Sequence, residues 1–195
     1  MHRPSTRQRR FVILLLALLT FAIAYYGGNR YSAPPSTRIS GVLLNPTPPF
    51  PDFQLRQQAG KPFGKPQLED HWNLLLLDSG SDQGDASLHK LVQVHNRLAD
   101  DPTLQQHTLF IYVPKRYSDT LAEKIGRLGN NFILLSGEPA ELEPLFDQLG
   151  NLQARGDNLV LYLVDPDANI QALYTGELDA AAIANDFHSL LAQQR

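Results

Sequence analysis

The residues best suited to chemistry are three aspartates and a histidine that follow a run of leucines. Asp78, Asp82, Asp85 and His89 stand close together, and Asp85 and His89 have the i, i+4 spacing of one helix face. Carboxylate oxygens and an imidazole nitrogen can bind Cu(II) or Zn(II), so Asp82, Asp85 and His89 are the candidate metal ligands. The same residue types cap helices, whose N-terminal dipole stabilises carboxylates. The pattern favours capping, and we therefore predict no metal or other cofactor.

Other catalytic groups are missing from the sequence. The chain contains no cysteine, which excludes thiol redox enzymes, disulfides and thiolate metal sites. No serine stands in a nucleophile elbow, and Gly80 and Gly84 lack the lysine and hydroxyl pair of a phosphate-binding loop. His107 and His188 have no neighbours at metal-ligand spacing, and His95 lies on the apolar stripe of a predicted helix. We expect a protein that is not an enzyme.

Alternating apolar segments predict the elements that would position these residues. Buried strands are predicted over residues 74–77, 108–113, 131–135, 159–164 and 170–174, the last two forming a hairpin. Apolar residues recur at helical spacing in four segments, residues 88–98, 121–128, 142–149 and 183–191. Strands separated by single helices predict an α/β domain with a mixed sheet flanked by helices. A closing hairpin followed by a helix is typical of a thioredoxin-like fold.

Several segments of this domain carry a family resemblance. They are Pro-Asp-Phe-Gln-Leu at residues 51–55 with Gly-Lys-Pro-Phe at 60–63, and residues 111–120, 132–137 and 162–167. In their order and spacing the chain resembles the Sco/SenC proteins. These are membrane-anchored, thioredoxin-like proteins that help deliver copper to cytochrome c oxidase. The resemblance covers the chain from Pro51 onward and implies a thioredoxin-like fold and a place in oxidase assembly.

The resemblance fails at the copper site of that family. Its members bind Cu(I) through a Cys-x-x-x-Cys motif after the first buried strand and a histidine before the last hairpin. Gly80 and Gly84 stand at the cysteine positions here, and Asp157 or Asn158 stands at the histidine position. Because Cu(I) prefers soft thiolate ligands, the family's ligand roles do not carry over to any residue of this chain.

The resemblance without the ligands predicts a non-catalytic accessory factor of respiratory cytochrome c oxidase assembly. Its expected partners are oxidase subunits or other assembly factors. One alternative is a carrier of copper or another metal that uses the relocated site at Asp82, Asp85 and His89. Another is a periplasmic binding module unrelated to respiration. A net charge of −3 with scattered basic residues argues against nucleic acid as a partner.

An apolar segment at residues 11–26 predicts attachment to a membrane. It contains no charged residue, and the preceding ten residues carry arginines and no acidic residue. We predict a cytoplasmic basic tail over residues 1–10 and one transmembrane helix over 11–28 in a bacterial inner membrane. A Pro-rich linker over 29–50 would then lead to a periplasmic thioredoxin-like domain over 51–195. A signal peptide cleaved after Ala24 is the alternative.

Overall fold

The computed structural model describes residues 19–20, 39–78, 84–150, 159–175 and 179–193. The chain divides into two compact units, Met1–Arg38 and Ile39–Arg195. Within the described residues, no helix is both long and apolar enough to span a bilayer. The predicted basic tail and the predicted transmembrane helix over residues 11–28 lie outside the described residues, except for residues 19 and 20. Both stay predictions.

In the described part of the second unit, the strands form an eight-stranded mixed sheet. Its strands are β1 Val42–Leu43, β2 Gln54–Gln57, β3 Pro62–Gly64, β4 Trp72–Asp78, β5 Thr108–Pro114, β6 Phe132–Ser136, β7 Leu159–Val164 and β8 Ile170–Thr175. Their order across the sheet is β1-β8-β7-β4-β5-β6-β2-β3. β4 and β6 both run parallel to β5, and the other neighbouring pairs are antiparallel. The C-terminal ends of β4, β5 and β6 therefore lie at one end of the sheet.

Helices pack on both faces of this sheet. Among the described residues they are α1 Gly84–Arg97, α2 Pro102–Gln106, α3 Asp119–Gly126, α4 Pro139–Gly150 and α5 Ala180–Gln193. Apolar residues of α1, α3 and α5 share one buried cluster, and those of α4 belong to a second. A mixed sheet with helices on its two faces is the thioredoxin-like arrangement that the sequence predicts, so the predicted fold class of this unit is confirmed.

Strand β4 lies at the centre of the sheet, and all of its residues are buried. Side chains of a strand alternate between faces. Leu74 and Leu76 accordingly pack in the cluster of α1, α3 and α5, while Leu75 and Leu77 pack in that of α4. A strand covered on both faces has an uninterrupted apolar sequence. The run of leucines therefore predicts β4 although it lacks polar alternation.

Helix α2 and strands β1, β2 and β3 lie outside the apolar segments that the sequence analysis assigns to helices and strands. Helix α2 begins after Asp101, whose Oδ1 accepts the backbone N–H of Leu104 at 3.0 Å, with Pro102 in the first turn. Strand β1 lies within residues 29–50, which the sequence analysis assigns to a linker. It pairs with β8 through Val42 and Leu43, and Phe50 is buried in the core. Residues 39–50 thus belong to the compact unit.

Residues 39–44, which include β1, form a short strap. Contacts with α5 and β8 hold this strap on the domain. The carboxylate of Asp186 on α5 is buried, and its Oδ2 accepts the backbone N–H groups of Ser40 at 2.7 Å and Gly41 at 3.2 Å. Gly41 lies against the ring of Tyr174, where a Cβ atom would come within 2.5 Å of two ring carbons. Glycine is therefore needed for the strap to approach the domain this closely.

Tyr174 lies beneath the strap with its hydroxyl buried. Among the described residues this hydroxyl has no hydrogen-bond partner. Burial, and secondarily the negative charge of Asp186, raise the pKa of the Tyr174 phenol far above its usual value. In the unfolded chain a tyrosine loses its proton near pH ~10. The folded state therefore keeps a proton that the unfolded state releases, and the free energy of unfolding must fall as the pH rises above about 10.

Replacing Tyr174 with phenylalanine is expected to reduce this loss of stability at alkaline pH. Each pH unit between the unfolded and folded pKa values costs about 1.4 kcal/mol for one such group. At neutral pH the variant should stay within about 1 kcal/mol of wild type, because the lost hydroxyl makes no hydrogen bond. Urea denaturation of both proteins from about pH 8 to 11 measures the difference in slope. Parallel curves would contradict the prediction.

Candidate functional site

The C-terminal ends of β4 and β5 form the candidate site, since parallel α/β folds place their functional loops there. Asp78 ends β4 and is only 5% exposed. The Tyr112 hydroxyl donates to Asp78 Oδ2 at 2.5 Å, and the Lys115 backbone N–H donates to the Asp78 carbonyl at 2.9 Å. These bonds fix the strand ends against each other. Asp78 thus contributes to the structure of the edge and is not presented to solvent as a ligand.

A shallow groove of about 430 Å³ opens beside the end of β6. It is lined by Arg56, Tyr117, Ser136, Gly137, Glu138 and Glu141. Glu141 Oε2 accepts the Glu138 backbone N–H at 2.9 Å, which caps the start of α4. Tyr117 is 47% exposed, an unusual environment for an aromatic ring. An exposed tyrosine beside charges of both signs is typical of protein contact surfaces, which are enriched in tyrosine and arginine.

The predicted metal ligands are only partly described. Asp82 lies outside the described residues, and Asp85 is described by its backbone alone, in the first turn of α1. His89 is exposed on the same helix. Across the described ranges, no three His, Asp or Glu side chains are grouped so that they could hold a metal ion. The structure therefore adds no support for the relocated site.

Of the residues at the positions of the missing copper ligands, the structure describes only one. Gly84 is the first residue of α1, so its position follows the loop after β4, as the resemblance implies. Gly80 lies outside the described residues, as do Asp157 and Asn158. Gly84 therefore marks the end of the sheet where such a site would lie, next to the C-terminal end of β4.

Two of the other histidines, His95 and His107, contact neighbouring groups. The ring of His95 lies 5.1 Å from that of Phe110 and 5.0 Å from that of Phe132, as its place on an apolar stripe predicts. The His107 Nδ1 atom lies 2.8 Å from the Thr103 carbonyl oxygen. His188 is half-buried on α5. These contacts are those of structural histidines.

Sequence reasoning misses the two tyrosines of this edge. Tyr112 stands far from Asp78 in the sequence, and only the parallel register of β4 and β5 brings them together. Tyr117 follows β5 in a segment whose sequence resembles a family loop, but its exposure depends on how the chain leaves the strand. Pro114, the last residue of β5, indicates the turn and is the one available signal.

Solved structures that are similar to this chain include Sco proteins and thioredoxin-family proteins. The chain matches no protein-family model and no curated protein. Copper-bound Sco1 from yeast matches with a TM-score of 0.62 and 17% identity, covering 77% of this chain and 99% of that chain. Apo Sco1 from Thermus thermophilus matches with a TM-score of 0.59 and 19% identity, covering 83% and 100%.

A third match is BsSco, a member of the Sco family of cytochrome c oxidase assembly proteins with a disulfide switch. It has a TM-score of 0.59 and 13% identity, covering 82% of this chain and 99% of that chain. Identities this low establish similarity of fold. The resemblance to Sco proteins is confirmed at that level, and the chain differs from a protein with a disulfide switch because it has no cysteine.

Proposed function

We propose that this chain is a non-catalytic accessory factor in the assembly of respiratory cytochrome c oxidase, held at a bacterial inner membrane and acting by protein contacts. A Sco-like fold in a chain without cysteine is the observation that carries the proposal. Cu(I) prefers soft sulfur ligands, and disulfide exchange needs a thiolate. A chain without either can serve the pathway of its structural relatives through binding alone.

The end of the sheet near β5 and β6 is the proposed contact surface. Tyr117 supplies an exposed aromatic ring, and Arg56 and Glu138 border the same groove. Tyrosine and arginine carry a large share of binding energy at protein interfaces. A membrane tether would raise the effective concentration of this surface near a membrane-bound partner, so that modest affinity is sufficient.

A deletion strain tests the pathway. Loss of the protein should lower cytochrome c oxidase activity and oxidase copper content under copper limitation, with restoration by the plasmid-borne wild-type gene. Wild-type activity and copper content in the deletion strain would contradict the proposal. Restoration by a variant in which Asp85 and His89 are both alanine would argue for contacts over the relocated metal site.

A pull-down from detergent-solubilised membranes tests the contact surface. Tyr117→Ala is expected to reduce recovery of oxidase subunits about tenfold, which corresponds to a loss of roughly 1.4 kcal/mol of binding free energy at one interface residue. Val42→Ala is the matched control, because Val42 is also an exposed apolar residue, 57% accessible, on the distant strand β1. Equal recovery with the two variants would contradict a role for the Tyr117 surface.

A further inference from the structure

A cavity of about 550 Å³ lies between α1 and the C-terminal end of α3. Its floor is apolar and consists of Ala86, Leu88, Val92 and Leu128. Leu88 is only 7% exposed, and Val92 and Leu128 are half-buried against the main core. The volume falls within the range of roughly 300–1,000 Å³ that is typical of small-molecule sites.

The rim of the cavity is basic. Lys124 and Arg127 stand on one side and His89 on the other, all exposed, and none of the described lining residues is acidic. Cations at the end of a helix are commonly explained by attraction to its dipole. That attraction explains the positions of Lys124 and Arg127, but it does not explain the apolar cavity beside them. Ligand sites combine an apolar wall with a few polar groups that fix orientation, and this cavity has both.

Arg127 on this rim already has an acidic partner. Arg127 forms an ion pair with Glu123, one turn earlier in the chain, and the two side chains are 75% and 66% exposed. Exposed i, i+4 pairs contribute little to stability, because water screens the charges. The guanidinium carries five N–H donors and can accept a second carboxylate partner. The pair therefore leaves Arg127 able to bind a second carboxylate.

We propose that this cavity binds a small molecule with an apolar body and one carboxylate. The apolar body packs on Leu88, Val92 and Leu128, and the carboxylate accepts hydrogen bonds from Lys124 and Arg127. This ligand site is independent of the proposed role in oxidase assembly. It also gives His89 a different function from the metal ligand considered in the sequence analysis, as a polar group at the mouth of a ligand cavity.

Calorimetric titration of the full chain in an uncharged detergent tests the proposal, with naphthalene-2-carboxylate as the probe and a detergent blank. The naphthoate should bind at least tenfold more tightly than naphthalene-2-carboxamide, which has the same shape and no charge. A Lys124→Glu, Arg127→Glu double variant should lose at least tenfold in naphthoate affinity. Lys115→Glu, Arg116→Glu is the matched control, because it makes the same charge change at exposed residues that do not line the cavity.

A second variant tests the apolar part of the site. Ala86→Phe places a ring at the cavity wall from an exposed helix position and leaves the charges unchanged, so it should also weaken naphthoate binding at least tenfold. Absence of naphthoate binding, equal affinity for the carboxamide, or wild-type affinity in the Lys124, Arg127 double variant would overturn the proposal. If naphthoate does not bind and the Lys124→Glu, Arg127→Glu variant also loses oxidase subunits in the pull-down, the cavity is assigned to a protein partner instead.

Discussion

Replacement of Asp165 by alanine is expected to lower the free energy of unfolding by about 3–5 kcal/mol and to loosen the β7–β8 hairpin. The carboxylate is only 5% exposed. It accepts the backbone N–H groups of Asp167 at 3.0 Å and Asn169 at 2.8 Å, and the side-chain amide of Gln171 at 2.7 Å. Removing the acceptor leaves these part-buried donors without it, together with the Asn169 side-chain amide at 3.5 Å, and each unpaired group costs about 1–3 kcal/mol when it is buried.

The backbone conformation of this turn also depends on Asp165. Ala168 has a φ of 56°, in the left-handed region that residues other than glycine rarely adopt. Its side chain is fully buried, so the turn cannot relax toward solvent without opening the core. The hydrogen bonds to Asp165 help to hold Ala168 in this conformation.

Urea denaturation of a fragment spanning residues 39–195 measures the effect. Asp167→Ala is the matched control, because Asp167 is an exposed aspartate in the same turn and contributes its backbone N–H, which the substitution keeps. Its effect should lie within about 0.5 kcal/mol of zero. Asp165→Asn should fall between the two, since one acceptor oxygen remains. A change below about 1 kcal/mol for Asp165→Ala would contradict the prediction.

Much of the fold is predictable from local pattern alone. Strands β4 to β8 and helices α1, α3, α4 and α5 coincide with apolar segments of the expected period, because each buries a continuous stripe or face. The sequence does not predict strand β1, because a strand of two residues cannot show a period and the surrounding sequence contains prolines. Helix α2, from Pro102 to Gln106, is too short for periodicity, although Asp101 followed by Pro102 is a helix start signal.

The candidate site is less predictable, because it depends on contacts between distant segments. The sequence locates the loop after β4 as a possible site and singles out His89. It cannot show that Lys124 and Arg127 share a cavity with His89, since helix packing decides this. Nor can it show that Asp186 contacts the strap. Side chains that meet through tertiary structure leave no regular spacing in the sequence.

Replacement of Asp186 by alanine is expected to release the strap, residues 39–44, from the domain. The substitution removes the acceptor of the Ser40 and Gly41 backbone N–H groups and of a longer contact, 3.5 Å, from the Ser40 hydroxyl. The free energy of unfolding should fall by about 2–4 kcal/mol, at roughly 1–3 kcal/mol for each unpaired donor. Limited proteolysis within the strap should become at least tenfold faster, which is the direct measure of its release.

Gly41→Val tests the same contact by a different route. Its side chain would collide with the Tyr174 ring at 2.5 Å and the Leu173 carbonyl oxygen at 2.7 Å, so the strap should detach while Asp186 stays intact. Ser40→Ala is the control, because it removes only the long hydroxyl contact and should leave the proteolysis rate within about twofold of wild type. Wild-type proteolysis of both Asp186→Ala and Gly41→Val would contradict a strap held by these contacts.

Release of the strap should also affect the proposed function through the length of the tether. Detached residues 39–44 would lengthen the part of the predicted Pro-rich linker, residues 29–50, that is not held on the domain. Effective concentration falls roughly as the −3/2 power of linker length once the linker exceeds the span between its sites. If the domain acts by contacts beside a membrane partner, Asp186→Ala should reduce recovery of oxidase subunits by less than Tyr117→Ala does. The first change dilutes the contact surface, whereas the second removes part of it.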